Sequence, residues 1–464
     1  MKSSHSFRTL LQASIITIYC LTSCKKPSVK EDIEPIGGIK ILEAIEVDSV
    51  VADFPVGFKF ITQGEYQYVG YYNKYRELTV ASRKKTDSKW RYKILPSKVG
   101  WDSHNRITMA IDRDNCIHLS GNMHNDSLTY FKTTRPNDIS SFERVFPQVK
   151  LEDELSSTYP NFIKGANDEL IFSYRKGGSG NGITIFNTYD EQSKSFKKLT
   201  NEPFFDGLNQ MSAYARGPAL GPDNMFHVLW LWRDTPACET NHDLSYARSA
   251  DLVNWETMDG KKIELPITPD LKAVTADPIP ARGGVINGGA FLFFDKQNKP
   301  MLAYFKYDQV GNSQVYIARF EGGEWAIKQV SKWDYRWNFS GSGSITFEIR
   351  LNGGSINESG QIVIDYIHVK KGVGQLVLDS KNLSLIEDRQ VAIKVGAEYP
   401  EELLPTMSNI DSASVKWLKS PDAQVGSKDY YALRWETMGK RRFYKEREKP
   451  VKPSIMMLYK FNRD

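Results

Sequence analysis

Cysteine and histidine are scarce in this 464-residue chain, at four and seven residues, and their placement excludes more than it permits. Cys20 and Cys24 fall in the first two dozen positions, so Cys116 and Cys238 alone remain for the rest, and a disulfide-dense scaffold is excluded. No long stretch keeps helical periodicity. No apolar run reaches the ~20 residues that a comfortable membrane-spanning helix needs. A strong excess of one charge is missing too, with 61 Lys and Arg against 56 Asp and Glu. Setting aside Lys2 and Arg8 lowers the formal charge from +5 to +3. That balance argues against a nucleic-acid partner, which calls for a strongly basic domain, and still permits a local basic cleft for an anionic substrate.

The first residues read as an export signal. Lys2 and Arg8 precede an apolar run from Leu10 to Leu21, closed by Thr22, Ser23 and Cys24, the shape of a secretory leader ending at a lipoprotein cleavage site. Residues 1–23 are expected to be removed, Cys24 lipidated, and residues 24–38 left as a tether. The mature chain is then a lipid-anchored protein of the bacterial cell envelope, most simply at the outer membrane. A plain leader with a chance cysteine is the bland alternative.

From about residue 40 onward, short aromatic and β-branched runs alternate with turn clusters, the signature of an all-β chain. One phrase recurs: an alternating strand, a polar turn, and a second strand. It begins at Tyr68, Ile117, Ile171, His227, Leu302, Ile364 and Tyr430. The spacing of about 50 to 75 residues suits a four-stranded propeller blade with its loops, so seven copies predict a seven-bladed β-propeller over residues 39–464. A pair of β-sandwiches is the structural rival, and regular repetition favours the radial arrangement. No Pro-, Gly- or Ser-rich linker divides the segment, and a single monomeric domain is expected. Ser249, Asp251 and Trp255 resemble a degenerate Asp-box turn.

Five of the seven histidines lie between His104 and His242, where imidazoles, phenols and guanidiniums follow one another closely. Histidine suits proton transfer near neutral pH and is also the commonest metal ligand. The phrases Trp101 to Asn105, Ile117 to Tyr130, Tyr159 to Phe162, Arg175 to Gly180, Trp230 to Asp234 and Asn241 to Arg248 resemble the seven-bladed propeller ulvan lyases and their BNR-repeat relatives. The likeness extends to Asp334–Trp337 and Leu433–Glu436. It implies an enzyme that cleaves an anionic, uronate-containing polysaccharide by β-elimination. A base must then remove the C5 proton, the carboxylate must be neutralised, and the leaving 4-oxygen needs a proton.

Arg175 suits the second task, because a guanidinium grips a carboxylate through two hydrogen bonds. His104 suits the base or a carboxylate partner. Tyr159 can give a proton to the leaving oxygen, or remove one if a neighbouring cation lowers its pKa. His124, Tyr214 and Arg216 are expected to contact substrate. Each has a dull reading beside it: His104 as a strand cap, Arg175 as a salt-bridge partner, Tyr159 as packing. His118 and His368 alternate with apolar residues in strands and are expected to be structural.

A second group, His227, Asp234, Cys238 and His242, mixes soft and imidazole ligands within sixteen residues and predicts one tetrahedral, structural zinc site, which the resemblance to zinc-carrying relatives strengthens. A buried free thiol at Cys238, or a Cys116–Cys238 disulfide, is the alternative. Two other functions stay open: a glycoside hydrolase acting on rhamnosyl-glucuronate or in the manner of a sialidase, and a non-catalytic glycan-binding lipoprotein with Trp230, Trp232 and Trp337 as stacking platforms.

Overall fold

The computed structural model describes residues 38–391, 399–420, 428–439 and 451–463. The expected leader, the lipidated Cys24 and the tether up to residue 37 lie outside the described residues. Residues 38–464 form one compact unit.

Its strands form seven sheets among the described residues, five of four strands and two of six. Each recurring phrase falls on two neighbouring strands of one sheet, such as Tyr66–Tyr72 with Glu77–Lys84 and Phe226–Arg233 with Asn241–Ser249. The reason is burial on both faces. Every residue of Phe226–Arg233 is buried, and a strand covered on both sides reads as a nearly continuous apolar run. The Asp-box resemblance corresponds to a real turn. Asp251 Oδ1 accepts the backbone N–H groups of Val253 and Asn254 at 2.9 and 2.7 Å, Ser249 Oγ donates to Asn254 O at 2.6 Å, and Trp255 is buried below.

One sheet joins the two ends of the described chain. The strand Ile39–Val50 pairs antiparallel with Ser454–Arg463, which continues to Asp429–Met438 and Ala413–Lys419. The apolar core lies between sheets, as in the cluster of Phe204, Phe205, Trp230, Trp232 and Trp255.

That cluster corrects one expectation. Trp230 and Trp232 are 0% and 2% exposed, and Trp337 packs with Phe305 and Phe339 at 3%. None can stack on a sugar, because in each case the ring faces are already covered by core side chains. Cys116 and Cys238 are both buried free thiols, so the disulfide alternative is not formed.

The end-joining sheet gives a first test. Leu458, fully buried in the last strand, should cost about 2–5 kcal/mol when changed to Ala. Ile455 of the same strand, 44% exposed, should cost no more than about 0.5 kcal/mol. Urea unfolding of the two variants would measure both, and equal losses would contradict the burial argument.

Candidate active site

Three neighbouring strands set the site's spacing. Thr158, in Ser157–Lys164, is in register with His124 on one side and with Arg175 on the other, so its two neighbours stand about 4.8 Å away across the sheet. Between Thr158 and Asn161 the register shifts, and such a bulge re-aims a side chain. Tyr159 sits in that shift at φ 58°, the only aromatic residue among the described non-glycine positions with positive φ. A bulky residue held there costs about 1–3 kcal/mol, a strain that persists only where the surroundings impose it.

The strained phenol faces a cleft of about 460 Å³. Its walls include His104, Arg106, Tyr159, Arg175, Tyr214 and Arg233, with Arg216 at the strand Ser212–Leu220. The Arg175 guanidinium lies 5.0 Å from the ring centre of Tyr159 and 5.5 Å from that of Tyr214. It donates to the Tyr214 hydroxyl at 3.2 Å and to Gly177 O at 3.2 Å. Arg233 covers Tyr214 at 5.1 Å, and Arg106 covers Tyr159 at 5.6 Å. Gly182 makes room for this packing, since a Cβ there would meet Arg175 Cδ at 2.7 Å and Ser212 Oγ at 2.5 Å.

The two histidines share one carboxylate. Asp102 Oδ1 accepts the backbone N–H of His104 at 2.8 Å, an Asx turn that shapes the loop. The same oxygen contacts His104 Nδ1 at 2.7 Å, while Oδ2 is hydrogen-bonded with His124 Nδ1. The rings lie 4.5 Å apart, and each is about 6 Å from Tyr159. Burial pushes the Asp102 carboxyl up, but the two imidazoles and the His104 amide outweigh it and hold it well below the usual carboxylate range. An ionised Asp102 accepts a proton-bearing Nδ1 from each ring, which assigns the lone pair of each neutral imidazole to Nε2.

The two phenols are pushed apart. Burial, then Tyr214, raises Tyr159 to about 12 against the opposing guanidiniums. Burial also pushes Tyr214 up, but Arg175 and Arg233, with hydrogen bonds to Ser179 and Arg175, outweigh it and bring Tyr214 below its ordinary value.

The structure therefore brings His104, His124, Tyr159, Arg175 and Tyr214 together, and places Arg216 on the same cleft with its Nη1 donating to Ala290 O at 2.6 Å. Sequence reasoning passed over Asp102, Arg106 and Arg233 as individual participants. Asp102 and Arg106 each stand two positions from His104, and Arg233 directly precedes Asp234. That proximity was the available signal.

The four expected zinc ligands do not fit one ion. His227 is in register with Arg248, while His242 is in register with Trp232. Five residues along the strand separate His227 from Trp232, about 16 Å. His227 is instead bonded through Nδ1 to the Tyr246 hydroxyl at 2.6 Å and through Nε2 to Asp223 at 2.8 Å. Asp234 and His242 do meet, at 3.0 Å, but Asp243 takes the other ring nitrogen at 3.2 Å and Cys238 is packed in an apolar cluster. His118, fully buried between Tyr130 and Asp112, is structural as expected.

Comparison with known proteins fits this architecture. The solved structure of the polysaccharide lyase Uly1 matches with a TM-score of 0.59 at 13% identity, covering 92% of this chain and 100% of the other. A PL25 ulvan lyase matches at 0.54 and 17%, covering 88% and 94%. A form of it bound to -[GlcA(1-4)Rha3S]- matches at 0.54 and 16%, with the same coverage. These likenesses define the class of fold, an all-β, propeller-like architecture. No curated protein sequence matches the chain. The family described as "BNR repeat-containing family member" matches residues 66–333, more than half of the chain, and the chain belongs to it.

The split between the phenols is testable by ultraviolet titration of tyrosine ionisation. Deprotonation of one phenol should begin below the ordinary value near 10, and Tyr214→Phe should remove that early step. Tyr159→Phe should leave an early step in place. An unchanged early step in Tyr214→Phe would refute the assignment.

Proposed function

We propose that this protein is a polysaccharide lyase that cleaves a uronate-containing, ulvan-like polysaccharide by β-elimination, on a seven-bladed propeller. One observation carries the reading: among the described residues, the cleft wall holds four guanidiniums, Arg106, Arg175, Arg216 and Arg233, and no aspartate or glutamate. Arg175 is 5% exposed and donates to Gly177 O and the Tyr214 hydroxyl rather than to a carboxylate, and a buried cation without an anion is costly. An anionic ligand supplies the missing charge.

The geometry supports a division of roles. Arg175, with Arg233 beside it, grips the uronate carboxylate and stabilises the charge that develops on it as the C5 proton leaves. His104 Nε2 takes that proton, and Asp102 steadies the imidazolium that results. The electron pair forms the C4–C5 double bond as the C4–O bond breaks. Tyr159, kept protonated by its raised pKa, donates to the departing oxygen and is reprotonated from water.

The competing readings lack their parts. A glycoside hydrolase of the usual kind needs two carboxyl groups flanking the bond, and the cleft wall has none. A purely glycan-binding protein would not need imidazole, phenol and guanidinium packed together. The proposal also includes a lipid anchor at Cys24, an envelope location and a monomeric state, all supported by the sequence reading alone.

Incubation with ulvan and with rhamnosyl-glucuronate polymers, followed by the ultraviolet absorbance of an unsaturated uronate, tests the reaction. Arg175→Ala should lower turnover about 10²–10³-fold, as expected for loss of a group that stabilises developing charge. Tyr159→Phe and His104→Ala should show losses of a similar kind while circular dichroism stays unchanged. A saturated reducing sugar as product, or near wild-type rates in all three folded variants, would overturn the reading.

A further inference from the structure

Among the described residues, only one group of three or more His, Cys, Asp and Glu brings its ligand atoms within 4.8 Å of one another: Asp102, His104 and His124. We propose that these three form a binding site for a divalent transition-metal ion, with Zn²⁺ as the representative, and that occupancy switches off the proton chemistry of the cleft. The binding half stands on its own. The switching half rests on the lyase reading above.

The donor set selects the class of ion. Two imidazole nitrogens and one carboxylate make an N₂O site of the kind that holds zinc with a further position open to water or ligand. Hard cations such as Mg²⁺ and Ca²⁺ require mainly oxygen ligands and are disfavoured.

Geometry gathers the three donors at one place. Both Nδ1 atoms already point at the same carboxylate, one at each oxygen. Zinc bonds of about 2.0–2.1 Å put neighbouring tetrahedral ligands about 3.3 Å apart, against the 2.7 Å between His104 Nδ1 and Asp102 Oδ1. That contact must open by roughly 0.6 Å, and the shorter contact between Asp102 and His124 by more, by the same geometry. The residues are half-buried, with side-chain exposures of 19%, 29% and 28%, so an ion can reach them from solvent.

The consequence for chemistry is a change of tautomer. With hydrogens on Nδ1, each Nε2 carries a lone pair and His104 can accept a proton from substrate. A metal on Nδ1 needs the lone pair of Nδ1 itself, so the Nδ1 proton is given up to water and the hydrogen of the bound imidazole sits on Nε2. The edge of His104 in the cleft wall then turns from acceptor to donor, and C5 deprotonation stops without any change of fold. Removing the ion restores the acceptor.

Isothermal titration of the metal-free full-length protein with zinc chloride tests the site directly. One equivalent should bind, and Asp102→Asn and His124→Asn should each weaken it more than about tenfold, a conservative bound for losing a direct ligand. Cys238→Ser and His242→Asn should leave it unchanged. In parallel, zinc should abolish release of unsaturated uronate and a chelator should restore it. No binding at micromolar zinc, or binding lost in Cys238→Ser or His242→Asn and retained in Asp102→Asn, would overturn the site. Binding at the triad with undiminished elimination would overturn the switch. A metal-free protein that never produces unsaturated uronate while still binding zinc at the triad would refute the lyase reading and leave the site standing.

Discussion

The pairing of the strand Ile39–Val50 with Ser454–Arg463 is the constraint on which the rest of the molecule depends. It runs from Ile39 opposite Arg463 to Val50 opposite Ser454, tying together two segments about four hundred residues apart in the chain. A sheet made of both ends removes two unpaired edges at once, and unpaired edges are a liability in any all-β protein. It also makes the fold dependent on contacts of high sequence separation, which form slowly because loop closure precedes their reward.

The site gathers residues from several strands. Arg175, Tyr159 and His124 come from three adjacent strands of one sheet, Tyr214 and Arg233 from two strands of another, and His104 from a loop shaped by Asp102. A buried Arg175 that donates to a carbonyl and a phenol rather than to a carboxylate, a tyrosine at φ 58° and phenols shifted in opposite directions are all unfavourable or unusual in isolation. They persist together because packed strands over-determine their positions, which is how local strain is retained at sites of function.

Much of the architecture was legible in one dimension. The seven recurring phrases begin at Tyr68, Ile117, Ile171, His227, Leu302, Ile364 and Tyr430, and each lies on neighbouring strands of one sheet, because burial on both faces imposes a dense apolar pattern wherever such a strand occurs. The gathering of His104, Tyr159, Arg175, His124 and Tyr214 was legible too, through the order of their motifs. Chain proximity misled at the zinc expectation. His227, Asp234, Cys238 and His242 are close in sequence, but an extended strand of about 3.3 Å per residue carries His227 away from the others. Tryptophan content misled in the same way, since Trp230, Trp232 and Trp337 are core residues.

By itself, then, the sequence determined the all-β class, the repeat number of its strand phrases and the kinds of side chain available for proton transfer and anion recognition, because periodicity and residue chemistry are local properties. Only the tertiary structure decided that Asp102 joins two histidines, that Arg233 and Arg106 flank the phenols, and that Asp102, His104 and His124 are the one convergent group of metal-ligand types among the described residues. Those relations depend on strand register, on a bulge at Tyr159 and on which face each residue presents. A shift of one residue along a strand would reverse them while leaving the composition untouched.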